Sequence, residues 1–248
     1  MKFVKVRTSQ GCLGKNIGCE EAPDKILNGV KGDIIEIKTV KDNIDDCNKN
    51  IYLTARNLTQ YNALFVGGDH SMTYPLFKAF SEANEKCGLI IFDAHPDCYD
   101  DFNLSHENFL RLLVNDKLVK PTNIIIIGAR AITKEEHDFL KKYNIKYFTA
   151  YSLYNNVVET CDIIMGIARS FGKLYLSIDI DVVDPAFAPG TGYLEPLGMH
   201  SRELIYFLER IKRLKELQWM DLVEVNPKKD KEEITVKLAR EIVEVLNR

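Results

Sequence analysis

GLIIFDAHPDCYD, residues 88–100, sets a short apolar run directly against a string of polar groups. Gly88–Phe92 reads as a buried strand. Asp93, His95 and Asp97 then follow at every second position. One aspartate at a strand end serves as a turn or helix cap. Three polar groups aimed at one point need a shared partner.

The same kind of run recurs along the chain. KFVKV, DIIEIKTV, ALFV, LIIF, NIIIIG, IKYFT, KLYLSID and LQWMDLVEV make eight candidate strands. Segments of helical period lie between most of them. MTYPLFKAFSEANEK carries Met72, Leu76, Phe80 and Ala83, and SRELIYFLERIKRLKEL lines up Leu204, Phe207, Leu208, Ile211 and Leu214. Ser201 is the expected cap of that second helix. KEEITVKLAREIVEVL closes the chain with another amphipathic helix. Alternating strand and helix, with strands apolar throughout, predicts an α/β fold: a parallel sheet covered on both faces. With no linker, repeat or low-complexity tract, residues 1–248 read as a single domain.

Composition narrows the function classes. Apolar residues are 46 % of the 248, enough for a sizeable core, and 28 % are charged with a net charge of −3, so neither a disordered chain nor a basic nucleic-acid surface is expected. No run approaches the roughly 18 apolar residues of a membrane span, and MKFVKVRTSQ lacks a signal-peptide core; the expected location is cytoplasmic. The six cysteines form no CxxC pair, which suits reduced, packed thiols.

Ligands of open α/β sheets sit beyond the carboxyl ends of the strands, and three strand ends here carry acids or histidines. ALFV runs into GGDHS with His70, LIIF into Asp93, His95 and Asp97, and KLYLS into Asp179 and Asp181. Residues two apart on extended chain share a side, so these groups are expected to converge. Four aspartates crowded together repel and lose protons with difficulty. Two divalent cations cancel that charge. Mixed imidazole and carboxylate donors suit Mn²⁺, Zn²⁺ or Fe²⁺, and a carboxylate-rich set leans to Mn²⁺. Two such ions roughly 3.5–4 Å apart activate a shared water at neutral pH.

The motifs GGDHSMTYPL, DAHPDCYD, SIDIDVVDPAFAPGTG and DLVEVNP resemble the arginase/agmatinase family of ureohydrolases over nearly the whole chain. The resemblance implies a three-layer α/β/α fold with an eight-stranded, mostly parallel sheet. It implies two Mn²⁺ per subunit held by His70, Asp93, His95, Asp97, Asp179 and Asp181, with Asp97 and Asp181 as the central pair. SHENFLR is similar to the segment that supplies the family's proton shuttle, here His106. Glu224 matches the acid that holds the guanidinium, and Asp97 is the acid expected beside the nucleophile. The implied reaction is hydrolysis of a guanidino compound to urea and an amine, by a homo-oligomer.

Substrate choice within the family rests on small differences. Tyr99 stands where arginases commonly carry Asn, and AFAPGTG looks more like an agmatinase, so agmatine is the expected substrate and putrescine the product. YLEPLG, with Tyr193 and Leu194, replaces the usual TPEPGG-like wall. Guanidinobutyrate, formiminoglutamate and arginine are the alternatives. A non-catalytic metal-binding homologue and a two-metal phosphoesterase are the competing classes. Asp69 and Asp100 are expected to support the ligands, and Cys98 to face away from them.

Overall fold

The computed structural model describes residues 1–40, 43–101 and 103–248. Eight strands form one sheet: β1 (Lys2–Val6), β2 (Asp33–Ile37), β3 (Ala63–Gly67), β4 (Gly88–Phe92), β5 (Ile124–Ala129), β6 (Lys146–Thr149), β7 (Leu174–Asp179) and β8 (Leu217–Val223). Each expected strand is present. Their order is β2-β1-β3-β8-β7-β4-β5-β6, and every pairing is parallel, so the sheet is more uniform than the mostly parallel one expected.

Side-chain alternation sorts the helices into two layers. Leu174, Leu176 and Ile178 of β7 point into one core with α1 (Ala22–Ile26), α6 (Ala150–Leu153), α7 (Val157–Ala168), α8 (Ser201–Ile211) and α9 (Ile234–Asn247). Tyr175 of β7, with Phe65 and Trp219, points into the other, under α2 (Ile44–Arg56), α3 (Thr73–Ala83), α4 (Phe109–Asn115) and α5 (Lys134–Tyr143). A sheet covered on both faces needs no polar face, which is why its strands read as continuous apolar runs. No helix among the described residues is long and apolar enough to cross a membrane.

Two expectations about α8 change. Its cap is His200, whose N–H is accepted by the Glu203 carboxylate at 2.9 Å, and Ser201 is the first helical residue. The helix also stops at Ile211, because the chain must turn there to begin β8 at Leu217.

The strand order decides where a site forms. The chain builds outward from β1 to β2 and from β4 to β6, and β7 and β8 later fill the centre. The four adjacent central strands, β3, β8, β7 and β4, therefore end side by side, in registers that align Phe92 with Ile178, Asp179 with Val223 and Leu222 with Val66. Gly68 makes the β3 end possible: a Cβ there would lie 1.6 Å from the Thr8 carbonyl oxygen.

Candidate metal centre and active site

Asp93 follows β4 directly, Asp179 ends β7, His70 lies three residues beyond β3 and Glu224 follows β8. The six expected ligands converge. His70, Asp93 and Asp97 offer donor atoms within 4.8 Å of one another, and so do Asp93, His95 and Asp181. Asp179 Oδ2 stands 3.3 Å from His70 Nδ1.

The reason for convergence differs from the one expected. Residues 93–97 and 180–182 are not extended strand. Instead the first aspartate of each motif folds back on the chain. Asp93 Oδ1 accepts from the His95 N–H at 2.7 Å, Asp179 Oδ1 from the Asp181 N–H at 2.8 Å, and Asp69 Oδ1 from the Ser71 N–H at 3.0 Å. At Asp93 and Asp179 the turn uses one carboxylate oxygen and leaves the other for the centre, whereas the second oxygen of Asp69 accepts from the Gly11 N–H at 3.2 Å.

The central position is also reassigned. Asp93, not Asp97 or Asp181, belongs to both groups. Its Oδ2 lies 3.1 Å from His70 Nδ1 and its Oδ1 3.4 Å from His95 Nδ1. Asp97 approaches only His70, at 2.9 Å, and Asp181 only His95, at 3.1 Å.

The hydrogen-bond network assigns the His70 tautomer. Asp221 accepts from Tyr175 Oη (2.6 Å), Ser177 Oγ (2.6 Å) and Thr73 Oγ1 (2.8 Å). Ser177 thus spends its proton on Asp221, and its oxygen accepts from His70 Nε2 at 2.9 Å. With the imidazole neutral, as a metal ligand must be, that leaves Nδ1 with a lone pair facing three carboxylates; without a metal, those carboxylates outweigh burial and favour a proton there. His70 Nδ1 and Asp93 Oδ2 are both buried without a hydrogen-bond partner. A lone pair turned toward carboxylate oxygens is repulsive, so this donor set fits a bound cation. Ser177→Ala is expected to weaken divalent-metal binding about 10–100-fold, by freeing the imidazole. Chelator competition measures this, and an unchanged affinity would separate Ser177 from the ligand geometry.

The charges point the same way. Burial and the Asp93 charge push Asp97 up to about 8, and burial with the Asp181 and Asp93 charges pushes Asp179 well above the carboxylate range. Burial would also raise Asp93, but the imidazoles of His70 and His95 standing beside it hold it well below that range. Four buried aspartates against two imidazoles keep their charges together only where cations balance them, and otherwise take up protons.

Glu224 and His106 form the wall above the ligands. Glu224 takes φ 64, the left-handed region, which turns its side chain inward while its N–H reaches Gly68 O at 2.8 Å. Asp97 is left-handed too, with φ 50. Strain of this kind persists where the surroundings over-determine it. Glu224 Oε1 accepts from the His70 N–H at 2.7 Å and lies 3.1 Å from His106 Nδ1. Burial opposes protonation of His106, but the Glu224 hydrogen bond outweighs it and pushes His106 to about 9. The opposite nitrogen, Nε2, is buried and unpartnered.

These groups share a cavity of about 360 Å³, lined by His95, Asp97, His106, Asp179, Asp181 and Glu224, with Tyr99, Glu107, Tyr193 and Glu195 toward its mouth. That volume suits a small molecule. Two larger hollows of about 810 Å³ run along α7 and α8, and neither contains one of the ligand groups above.

A model described as the arginase family matches residues 14–246. The chain belongs to the arginase family. An arginase of Staphylococcus aureus (strain COL) is 33 % identical over 73 % of this chain and 65 % of its own length. A 32.2 kDa protein of Methanothermus fervidus is 34 % identical over 65 % of this chain and 55 % of its own. This arginase-family chain therefore spans between about half and two thirds of these curated relatives' length. The solved arginase of Bacillus subtilis superposes with a TM-score of 0.89 over 99 % of this chain and 97 % of that chain at 23 % identity, a likeness of fold.

Not every expected supporter reaches the site. Asp69 is fully buried and accepts from Gly11 and Ser71 near the centre. Asp100 is exposed and pairs with Arg111 at 3.3 Å instead, because the loop has already turned outward. Cys98 packs into the core, away from the ligands. Other supporters were not foreseen. Asn16 Nδ2 donates to Glu224 Oε2 at 2.6 Å and is itself held by Asn226 at 2.7 Å. Arg130 donates to the carbonyls of Asp181 (2.7 Å) and Glu195 (2.9 Å). Asp221 had a visible signal: a charge inside the apolar run LQWMDLV must be buried with partners. Asn16 had none, since its partner lies 208 residues away.

Proposed function

We propose that this chain hydrolyses a linear guanidino compound to urea and an amine with two Mn²⁺ ions, and that its substrate is a guanidino-amine such as agmatine. The observation supporting the reading is a single cavity that joins the carboxylate and imidazole cluster to the Glu224–His106 pair. His70, Asp93 and Asp97 would hold one ion, and Asp93, His95 and Asp181 the other, with Asp179 beside both. Carboxylate-rich donors with one imidazole in each group favour manganese.

Bound there, the metal pair supplies Lewis acidity and a water acidic enough to act as nucleophile at neutral pH. The chain's own groups do the rest. A guanidinium is cationic and resonance-stabilised, so it must be oriented tightly. A carboxylate has about four acceptor positions; Glu224 already takes the His70 N–H, His106 and Asn16, and so offers its remaining position, on Oε2, to one guanidinium N–H. Asp97 accepts a hydrogen bond from the nucleophile. His106 presents Nε2 to the cavity and would give the departing amine its proton.

The amine tail rests on charge. Among the described residues lining the cavity there is no lysine or arginine, so a substrate carboxylate would find no cation to pair with and would face Glu107 and Glu195. Manganese-loaded protein should therefore turn over agmatine with kcat/KM about tenfold or more above arginine, guanidinobutyrate and formiminoglutamate. Arginine is the second reading, because the Staphylococcus aureus relative is named for it. A product assay over these four compounds and a phosphate ester separates the cases. Preference for arginine would overturn the amine tail, and phosphate release alone would overturn the reaction class.

A further inference from the structure

Two carboxylates at the cavity mouth, Glu107 and Glu195, are used neither by the metal ligands nor by the Glu224–His106 pair, and Glu107 is the one held by a side-chain hydrogen bond. Glu107 follows His106 and lines the mouth. The Tyr193 hydroxyl, from the loop 86 residues further on, donates to Glu107 Oε1 at 2.6 Å. No lysine or arginine among the described residues forms an ion pair with Glu107. Glu107 Oε1 also stands 4.0 Å from His106 Nε2, and that nitrogen, on a side chain 5 % exposed, has no partner of its own. An anchored carboxylate and an unpaired imidazole nitrogen thus face one gap.

The Tyr193 ring closes one side of that gap. Its centroid lies 5.8 Å from His106 at an interplanar angle of 28° and 5.3 Å from His95. The ring spans the two histidines while its hydroxyl holds Glu107 beyond them. From Glu224 outward, the cavity therefore offers an acceptor for a guanidinium, a flat aromatic wall and a second fixed acceptor. That sequence matches a cation, a methylene chain and a second cation.

Resting on the hydrolase reading above, we propose that Glu107, fixed by Tyr193, is the specificity-determining residue that binds the ammonium at the far end of the substrate and turns carboxylate tails away. The carboxylate attracts an ammonium by a charge-assisted hydrogen bond and repels an anionic tail in the same place. Tyr193 acts through Glu107 as a positioning residue, and its ring lies along the chain between the two ends.

Glu107→Gln keeps the shape and removes the charge. With manganese-loaded protein, kcat/KM for agmatine should fall about 10–100-fold, carried by KM, as expected for loss of one charge-assisted hydrogen bond. Turnover of guanidinobutyrate should rise. Tyr193→Phe keeps the ring, frees Glu107 and should show a smaller loss for agmatine in the same direction. An equal loss for both substrates, or none for agmatine, overturns the proposal. If the wild type releases urea from no substrate, the hydrolase reading fails separately, and calorimetric binding of agmatine and guanidinobutyrate decides this one. Agmatine bound about tenfold or more weakly by Glu107→Gln supports the role, and equal binding overturns it.

Discussion

Asp93→Asn should abolish manganese-dependent thermal stabilisation and lower urea release by about 10³-fold or more, the scale expected when several kcal/mol of metal-derived stabilisation is lost. Asp93 is the one carboxylate shared by both ligand groups, so its loss touches both positions, whereas Asp97 and Asp181 each serve one. A ligand that binds only the folded chain stabilises it by about 2.7 kcal/mol at a hundredfold excess over its Kd, and the wild type should show such a rise in Tm with Mn²⁺. The variant should not. Metal-free Asp93→Asn should melt below the metal-free wild type, because Asp93 is held well below the carboxylate range and its charge stabilises the folded chain at neutral pH. Thermal melts with and without Mn²⁺ test both halves. A variant that retains the full manganese-induced rise would remove Asp93 from the centre.

Glu224→Gln should lower kcat/KM by about 10²–10⁴-fold, the range for a disabled general acid, and should also move the pH profile. Burial disfavours charge on His106, but Glu224 overcomes it and pushes His106 to about 9, above the ordinary 6.5. The stability contributed by this pair is therefore complete below about pH 6.5 and is lost as pH rises through about 9. Glutamine keeps the geometry and removes the charge that holds the proton, while burial remains. His106 should then deprotonate at lower pH, and the alkaline limb of kcat should shift down with it. An alkaline limb that stays in place would show that His106 does not owe its proton to Glu224. His106→Ala should lower kcat with little change in KM, which distinguishes the proton donor from the guanidinium acceptor.

The pattern of elements was readable because a parallel sheet buried on both faces writes itself as short apolar runs, and helices between layers write themselves as amphipathic stretches. KFVKV, ALFV, LIIF and NIIIIG needed no tertiary information to be placed as strands, and all eight appear. The cluster of six ligand candidates was readable too. Its residue types are costly near one another unless a cation joins them, so their repetition at strand ends carries chemical meaning.

The strand order, and with it the spatial arrangement of the site, came only from the folded chain. β8 lies between β3 and β7, which brings Asp221 beneath Ser177 and Glu224 beside His106, at separations of 44 and 118 residues. No local period encodes such contacts, so Asn16, Ser177 and the Glu107–Tyr193 hydrogen bond left no mark that a reader of the chain would isolate. The shared role of Asp93 was likewise hidden, because spacing alone treats Asp93 and Asp97 alike. Residue types and their periods are local properties and survive in the linear chain; which carboxylate stands between two imidazoles depends on how the sheet closes, and only the packed structure holds that information.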